Sequence, residues 1–371
     1  IIARVGHIRS FAVLASLMIC ALLVVGISNH WLIWVVARFV IGVMICGLYT
    51  VIESWLNDHA TSESRGQILS VYTFLVLSSM AAGQLLLNVS SIEAAVPFVL
   101  AAIFMSLSIV PVGLTRSLAP APIEATRVGF KVLYQRSRPA FAGAMLSGLV
   151  VGSFWALGAV FANRTSASVA DVTFFITTAI IGGALLQYPI GWLSDRVDRA
   201  LVLVALCVLG AVASVAVALS TGHPLHLAAV FIFGALTMPL YAIALAIAAD
   251  NSASNEFVLI GTSVLLLNAL SAAVAPLALG QLMDSLGAPA LFHAFGAMLF
   301  IGAGYIALQR KSRVTATVEE QVPFSAAAPD MAPTSFDLDP RGPENAVGDL
   351  SLIHISEPTR PRLVSRMPSS A

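Results

Sequence analysis

The sequence predicts an all-α protein that crosses a membrane many times, and three observations support this fold class. Hydrophobic residues make up 58% of the 371 residues and charged residues only 10%, with a mean hydropathy of +0.91. A soluble core of this length could not hide so much apolar surface. Continuously apolar stretches of about 20 residues recur, the length that a helix needs to cross about 30 Å of hydrocarbon. Barrel strands instead alternate apolar and polar residues over about ten positions.

Ten such stretches are predicted, and each is expected to form one membrane-spanning helix. In chain order they cover residues 11–28, 31–52, 67–88, 95–114, 141–162, 172–192, 200–219, 227–249, 257–280 and 289–308. Cys20, Cys46 and Cys207 stand alone within spans and are interpreted as small apolar packing groups. Gly148 and Gly152 form a GxxxG pair, which predicts a close contact between two helices.

Basic residues are distributed unevenly between the two sets of loops that ten spans create. Counted from Arg4 to Arg313, thirteen lie in the set that contains the chain's first residues, whereas only Arg164 lies in the opposite set. Because loops rich in Lys and Arg stay in the cytoplasm, both visible termini are predicted to be cytoplasmic. The formal net charge is zero, which gives no indication of nucleic acid as a partner.

The chain contains an internal repeat, visible as two weak matches in the same order. "RVGHIRSFAVLASL" from Arg4 matches "RVDRALVLVALCVL" from Arg196, and "AAGQLLL" around Gln84 matches "ALGQLMD" around Gln281. Two predicted spans of the second half precede its Arg196 landmark, but none precedes Arg4 in the first half. The repeat therefore predicts two further spans before Ile1, and thus twelve spans in two halves of six.

These landmarks divide the chain into four predicted regions. The first half, without its first two helices, covers residues 1–114; a cytoplasmic loop between the halves covers 115–140; and the six-helix second half covers 141–309. Residues 310–371 are rich in proline and lack helical or strand periodicity, so we expect a disordered cytoplasmic tail. Its segment "SLIHISEPTR" resembles translated adapter sequence, and residues 351–371 are therefore expected to be foreign.

Motifs in both halves resemble those of one known family, the major facilitator superfamily of transporters. Its loop signature G-x-L-x-D-R-x-x-R is matched by Gly191, Leu193, Asp195, Arg196 and Arg199. "RFVIG" at residues 38–42 resembles the family's Arg-containing fourth-helix motif, and "RVGHIRSFA", "ESWLND", "RGQILSVY" and "GQLLL" resemble its bacterial YcaD-like branch. The first-half copy of the loop signature departs from the pattern, because Ala3 stands where an Asp is expected.

The resemblance implies a fold of two six-helix halves related by an axis along the membrane normal. It further implies a secondary active transporter that moves a small solute across the bacterial inner membrane by alternating access. The expected partners are the solute and the lipid bilayer, without nucleic acid, and the protein is expected to be a monomer. No catalytic residue, metal or cofactor is expected, and proton symport, antiport and facilitated diffusion all remain open.

Two other classes of function remain as alternatives. A membrane sensor or receptor could use the same fold, although the sequence contains no further soluble signalling domain. A membrane-embedded enzyme is less favoured, because it would need clustered His, Asp or Cys at one depth and the spans offer almost none.

The resemblance also implies a cytoplasmic gate. The Asp of the family's loop signature faces the N-terminus of a helix in the opposite half, so Asp195 is expected to meet the span that starts near Gln67. We hypothesise a latch between Asp195 and Arg65 that opens as the halves rock; the alternative is a solvated turn that only sets topology. The predicted gate residues are Gly191, Asp195, Arg196, Arg199, Glu53 and Arg65.

Acidic residues and a histidine crowd the turn after the second span: Glu53, Asp58, His59 and Glu63. Their spacing matches no metal motif, so helix caps and salt bridges with Arg65 are favoured over a metal site. Asp250 and Glu256 occupy the equivalent turn of the second half, where Arg4 and Arg9 are their expected partners.

Polar and aromatic residues within spans are the candidates for a substrate cavity: Arg38, Gln84, Trp155, Gln187, Tyr241 and Asn268. Amides in hydrocarbon need partners, so the two Gln and the Asn should face other helices or water. The two aromatic side chains could stack on a substrate. Arg38 lies about 10 Å from the outer end of its span, which is compatible both with a cavity position and with snorkelling to the interface. Each residue taken singly is better explained by helix packing, and the prediction is that some of the set line the cavity.

Overall fold

The computed structural model describes residues 6–60, 65–86, 95–115, 128–166, 168–252, 256–310 and 324, and the regular structure in these ranges is helical. Ten helices within these ranges are long and apolar enough to cross a membrane. The predicted number of spans and the all-α fold class are therefore confirmed. The predictions made for Ala3, Arg4, Glu63 and nearly all of the tail fall outside the described residues.

Four spans form the N-terminal part: α1 (His7–Ile27), α2 (Trp31–His59), α3 (Arg65–Leu86) and α4 (Val96–Leu114). A short helix, α5 (Phe130–Arg136), follows within the predicted loop. Six more spans are built from α6 (Arg138–Ser147), a π-helical turn (Gly148–Gly152), α7 (Ser153–Thr165), α8 (Val169–Ser194), α9 (Arg199–Leu219), α10 (His226–Thr237), α11 (Leu240–Asp250), α12 (Phe257–Leu286) and α13 (Ala290–Arg310).

Several spans are longer than predicted, because polar residues at their ends are satisfied by local partners. The fifth span begins at Arg138 rather than at 141, since Ser137 caps it by accepting a hydrogen bond from the Ala140 N–H at 3.3 Å. Pro139 then lies in the first turn, where a helix does not need its missing N–H. The ninth span continues past 280 to Leu286, and its last turn includes Asp284.

Two of the six C-terminal spans are interrupted. The fifth span passes from α6 to α7 through the π-helical turn, a feature that is frequent at functional sites. The eighth span is interrupted between α10 and α11 at Met238 and Pro239, where proline cannot donate the backbone hydrogen bond that a continuous helix requires.

The C-terminal six spans share one continuous core. Phenylalanine rings from four spans meet in it: Phe161 lies edge-on to Phe292 with ring centroids 4.6 Å apart, and Phe233 contacts Phe292 at 5.1 Å. The N-terminal spans contribute two smaller clusters, one around Phe11 and Leu48 and one around residues 21–41. The two parts meet where α3 packs against α8.

The π-helical turn lies against α12 at very short range. A Cβ atom placed on Gly148 would lie 2.2 Å from the backbone oxygen of Asn268, and one placed on Gly152 would lie 2.2 Å from the Cβ of Ala272. Only glycine permits this approach, because no real side chain fits at such distances. The close helix contact predicted from the GxxxG pair is therefore confirmed, and its partner is α12.

Candidate functional site

Charged residues gather at the membrane face at which α9 begins, here called the basic face. Because successive spans alternate in direction, the starts of α1, α3, α6, α9 and α12 lie at this face, together with the ends of α2, α4, α8, α11 and α13. Hydrogen bonds and ion pairs connect several of these ends directly, as described below. Arg164 and Asp284, which pair at 2.7 Å, lie at the opposite face.

The centre of the site is Arg199, the first residue of α9, whose side chain is only 2% exposed. Its Nη1 donates to both carboxylate oxygens of Asp250, at 2.6 and 2.7 Å, and its Nη2 donates to Oδ1 of Asp195 at 2.6 Å. Asp250 ends α11 and is 4% exposed, whereas Asp195 directly follows α8 and is about one-third exposed. A buried guanidinium is tolerated when it is paired and hydrogen-bonded in this way. The cluster joins three spans at one face.

The other charged residues of the segment 191–199 serve the turn itself. Asp198 caps α9, because its Oδ1 accepts a hydrogen bond from the Ala200 N–H at 2.8 Å, and its Oδ2 accepts one from Nε of Arg310 at 2.6 Å. The guanidinium of Arg196 stacks 3.7 Å from the ring centroid of Trp192 and donates to that residue's backbone oxygen. Arg196 is thus held at the surface by a cation–π contact.

Phe324, the one residue beyond α13 that the structure describes, contacts this site. Its backbone N–H donates to Oδ1 and Oδ2 of Asp195 at 2.9 and 3.2 Å. Its ring lies over Gly191, where a Cβ atom would come within 2.2 Å of Cδ1 of the ring. The glycine of the signature therefore makes room for an aromatic side chain of the tail, and Asp195 is shared between Arg199 and the tail backbone.

Two acidic residues of the second half have described partners in the C-terminal part. Asp250 pairs with Arg199, and Glu256 pairs with Arg136 at 2.9 Å. Arg136 ends α5, which brings it beside the start of α12, while Arg9 is exposed on α1. In both described pairs the cation comes from an adjacent helix end of the C-terminal part. The expected pairing with Arg4 lies outside the described residues and stays a prediction.

The predicted partner of Asp195, Arg65, begins α3 at the basic face, but its side chain lies outside the described part of the chain. The described partners of Asp195 are Arg199 and Phe324. The latch between Asp195 and Arg65 therefore stays a prediction.

Glu53, the remaining predicted gate residue, is buried in α2 near the basic face. The hydroxyl of Tyr72 in α3 donates to its Oε1 at 3.2 Å. Ser54 follows it in the chain and contacts His7, the first residue of α1. Glu53 thus belongs to a polar group that connects α1, α2 and α3.

The six cavity candidates lie on six different helices and differ in exposure. Tyr241 and Asn268 are buried, Gln84, Trp155 and Gln187 are half-buried, and Arg38 is exposed. Oδ1 of Asn268 is buried and has no hydrogen-bond partner among the described residues. The ring of Trp155 lies edge-on to that of Phe154, with centroids 5.8 Å apart. Asn268 and Trp155 both lie next to the π-helical turn. The backbone of Asn268 packs on Gly148 of the turn, and Trp155 lies in the first turn of α7, which begins directly after it.

Two contacts of the site were missed in the sequence. The pairing of Arg199 with Asp250 joins residues 51 positions apart, and no periodic pattern fixes such a partner. Phe324 lies in a segment interpreted as a disordered tail, although "VPF" at residues 322–324 is an apolar triplet in polar surroundings that could have marked a docking point.

Comparison with known proteins places this architecture in a family. A family model described as the Major Facilitator Superfamily matches residues 140–353, more than half of the chain. The MFS-type transporter YcaD of Escherichia fergusonii is 27% identical over 308 residues, which cover 81% of this chain and 78% of that protein. An MFS-type transporter of Enterobacter sp. strain 638 is 28% identical over 309 residues, with the same shares covered.

Among solved structures, a crystal structure of the Escherichia coli fucose:proton symporter FucP gives a TM-score of 0.46 at 14% identity, covering 82% of this chain and 85% of that one. The match of the family model to more than half of the chain, together with the ten spans, assigns the fold. The protein is a multi-pass membrane protein that belongs to the major facilitator superfamily of transporters.

Proposed function

We propose that the protein is a secondary transporter that carries a small solute across the bacterial inner membrane by alternating access. Its family membership and its relatives described as MFS-type transporters support this proposal. The basic face is proposed to lie in the cytoplasm, because thirteen Lys and Arg residues occur in one set of loops and only Arg164 in the other.

The observation that carries the proposal is the position of Asp195. It follows α8, the helix that packs against α3 of the N-terminal part, and Arg65 begins α3 at the same face. A carboxylate near the start of a helix is stabilised by the helix dipole, by about 0.3–1 kcal/mol. Relative movement of the two parts would alter the surroundings of Asp195, which is the property a gate residue needs.

The Arg199 cluster is proposed to hold the C-terminal part together while Asp195 changes partners. Both contacts with Asp250 are buried, so they are expected to persist in every state. Asp195 is more exposed and is shared with Phe324. The Arg199–Asp250 pair thus keeps the C-terminal part rigid, and Asp195 provides one contact that can change. Rocking of two halves requires both a rigid unit and an exchangeable contact.

The solute is proposed to bind beside the π-helical turn, between α7 and α12. Oδ1 of Asn268 is a buried amide oxygen with no hydrogen-bond partner in the described part of the chain, which is costly unless a ligand or water satisfies it. Trp155 supplies an aromatic face in the same region. A small solute that donates a hydrogen bond and offers a flat apolar surface suits these two groups.

The decisive experiment is a transport assay on the full-length protein, including any residues that precede Ile1 in its gene. Compounds that raise the thermal midpoint of the purified protein are selected from a metabolite collection and tested for counterflow in proteoliposomes. Uptake with and without a proton gradient then separates symport, antiport and facilitated diffusion. Saturable counterflow of at least one such compound is expected; binding without movement under any gradient would favour a sensor instead.

A further inference from the structure

The surface at the end of α8 accepts an aromatic residue of the chain's own tail. Gly191 leaves the helix backbone bare, and the ring of Phe324 lies so close to it that a Cβ atom at this position would overlap the ring. The ring also packs against the hydrophobic core of the C-terminal part. Phe324 is half-buried, so the contact is fitted in shape but lies at the surface, where it can be released.

The same segment occupies the accessible side of the Asp195 carboxylate. Arg199, which is buried, donates to Oδ1 from within the protein. The backbone N–H of Phe324 lies 2.9 Å from Oδ1 and 3.2 Å from Oδ2, and it therefore bridges both oxygens of a side chain that is one-third exposed. A partner from the opposite half would have to approach the carboxylate on this accessible side. The tail and such a partner consequently exclude each other.

Docking of the tail is intramolecular, which makes even a weak contact effective. Arg310, the last residue of α13, binds Asp198 at 2.6 Å, three positions from Asp195. Phe324 follows Arg310 by 14 positions in the chain, and tethers of this length typically give effective concentrations on the order of mM. Two glutamates precede Phe324 in "VEEQVPF", and their charge is opposite to that of the basic face, which favours an encounter there.

We propose that Phe324 and the tail that carries it act as an intramolecular inhibitor of the gate at the basic face; this inference rests on the proposed transport function. While docked on Gly191, the tail holds Asp195 and keeps it from contacts with the opposite half. Release of the tail frees the carboxylate for the start of α3, and the basic face then closes. The tail thereby sets how often the gate closes.

The test measures conformation in the full-length protein, so that it does not depend on knowing the solute. Spin labels on Leu114 and Leu308, exposed residues at the basic-face ends of α4 and α13, give the ratio of closed to open protein at that face. The ratio is compared between the wild type, Phe324→Ala and Phe336→Ala. The last variant changes another phenylalanine of the tail and serves as the matched control.

In Phe324→Ala we expect the closed-to-open ratio to rise about fivefold or more, whereas Phe336→Ala should keep the wild-type ratio. The synthetic peptide "EEQVPFSAA", added to the Phe324→Ala protein at millimolar concentration, should bring the ratio back, and the peptide "EEQVPASAA" should not. In the Asp195→Asn background, Phe324→Ala should change nothing further, because no carboxylate is left to be freed. This last comparison separates competition for Asp195 from a general loosening of the structure.

The proposal is overturned if Phe324→Ala, shown to be monodisperse, keeps the wild-type ratio or opens the basic face further. It is also overturned if the two peptides act alike, or if Phe324→Ala still increases the closed fraction in the Asp195→Asn background. Failure of the transporter proposal would instead be seen as a tail-dependent change of conformation without movement of any solute.

Discussion

Arg199 and Asp250 form a buried ion pair across two helix ends, with Nη1 of Arg199 2.6 and 2.7 Å from the two carboxylate oxygens. The pair fastens the start of α9 to the end of α11, and the contact of Arg199 with Asp195 adds the end of α8. Three of the six C-terminal spans are therefore tied at the basic face by one side chain. A rigid C-terminal unit follows from this arrangement.

Loss of Arg199 should destabilise the protein strongly. In Arg199→Ala, Asp250 is left as a buried carboxylate without its guanidinium, and breaking such a pair costs about 3–5 kcal/mol. Arg199→Lys should also be destabilised, because an ammonium cannot match the planar donor arrangement that contacts Asp195 and Asp250 together. The thermal midpoint in detergent or nanodiscs measures both effects.

The matched control for this prediction is Arg164→Ala, which breaks the exposed pair with Asp284. These side chains are 42% and 66% exposed, so the cost should be at most about 1 kcal/mol. Equal losses in the Arg199 and Arg164 variants would contradict the role assigned to the buried pair.

The contact between the π-helical turn and α12 should not tolerate a side chain at Gly148. Gly148→Ala would place its Cβ 2.2 Å from the backbone oxygen of Asn268, so α12 must move or the protein must unfold locally. Gly280→Ala is the control, because a Cβ atom there meets nothing within 4 Å, and alanine in a helix is favoured over glycine by about 1 kcal/mol. We expect a lower thermal midpoint in the first variant and an unchanged or higher one in the second; the reverse order would refute the contact.

The amide of Phe324 should exchange its hydrogen slowly because it donates to Asp195. Asp195→Ala removes the acceptor, and Gly191→Ala displaces the ring. A hydrogen bond to a charged acceptor contributes about 1.5–3 kcal/mol, so exchange should accelerate about tenfold or more in either variant. Asp198→Ala, which removes a cap and the contact with Arg310 instead, should leave the exchange slow. Rapid exchange of this amide in the wild type would show that the tail does not dock in solution.

Asn268 should matter for the solute and not for stability. Its Oδ1 is buried without a described partner, so Asn268→Leu removes an unsatisfied polar atom and should leave the thermal midpoint unchanged or raise it. Counterflow of the selected solute should nevertheless fall at least about tenfold, because the loss of about 1.4 kcal/mol of binding free energy lowers the affinity tenfold. Normal transport by this variant would place the solute site elsewhere.

The ten spans could be predicted because length and apolar character decide whether a helix enters a bilayer, and both are local properties. The signature residues around Asp195 could be found for the same reason, since all lie within nine positions. The partners of Asp250 and Asp195 could not be predicted from the sequence, because they depend on how separate helices are rotated and packed. The π-helical turn was also missed, since "GLVVG" at residues 148–152 is as apolar as the regular helices around it.

If Asp195 is the exchangeable contact of a gate between two rocking parts, its loss should change the distances at both faces of one protein. Label pairs at Leu114 and Leu308 report the basic face, and pairs at Ile27 and Leu219 report the opposite face; all four residues are exposed. In Asp195→Asn we expect a longer distance at the basic face and a shorter one at the opposite face. Unchanged distances, or distances that lengthen at both faces together, would contradict it.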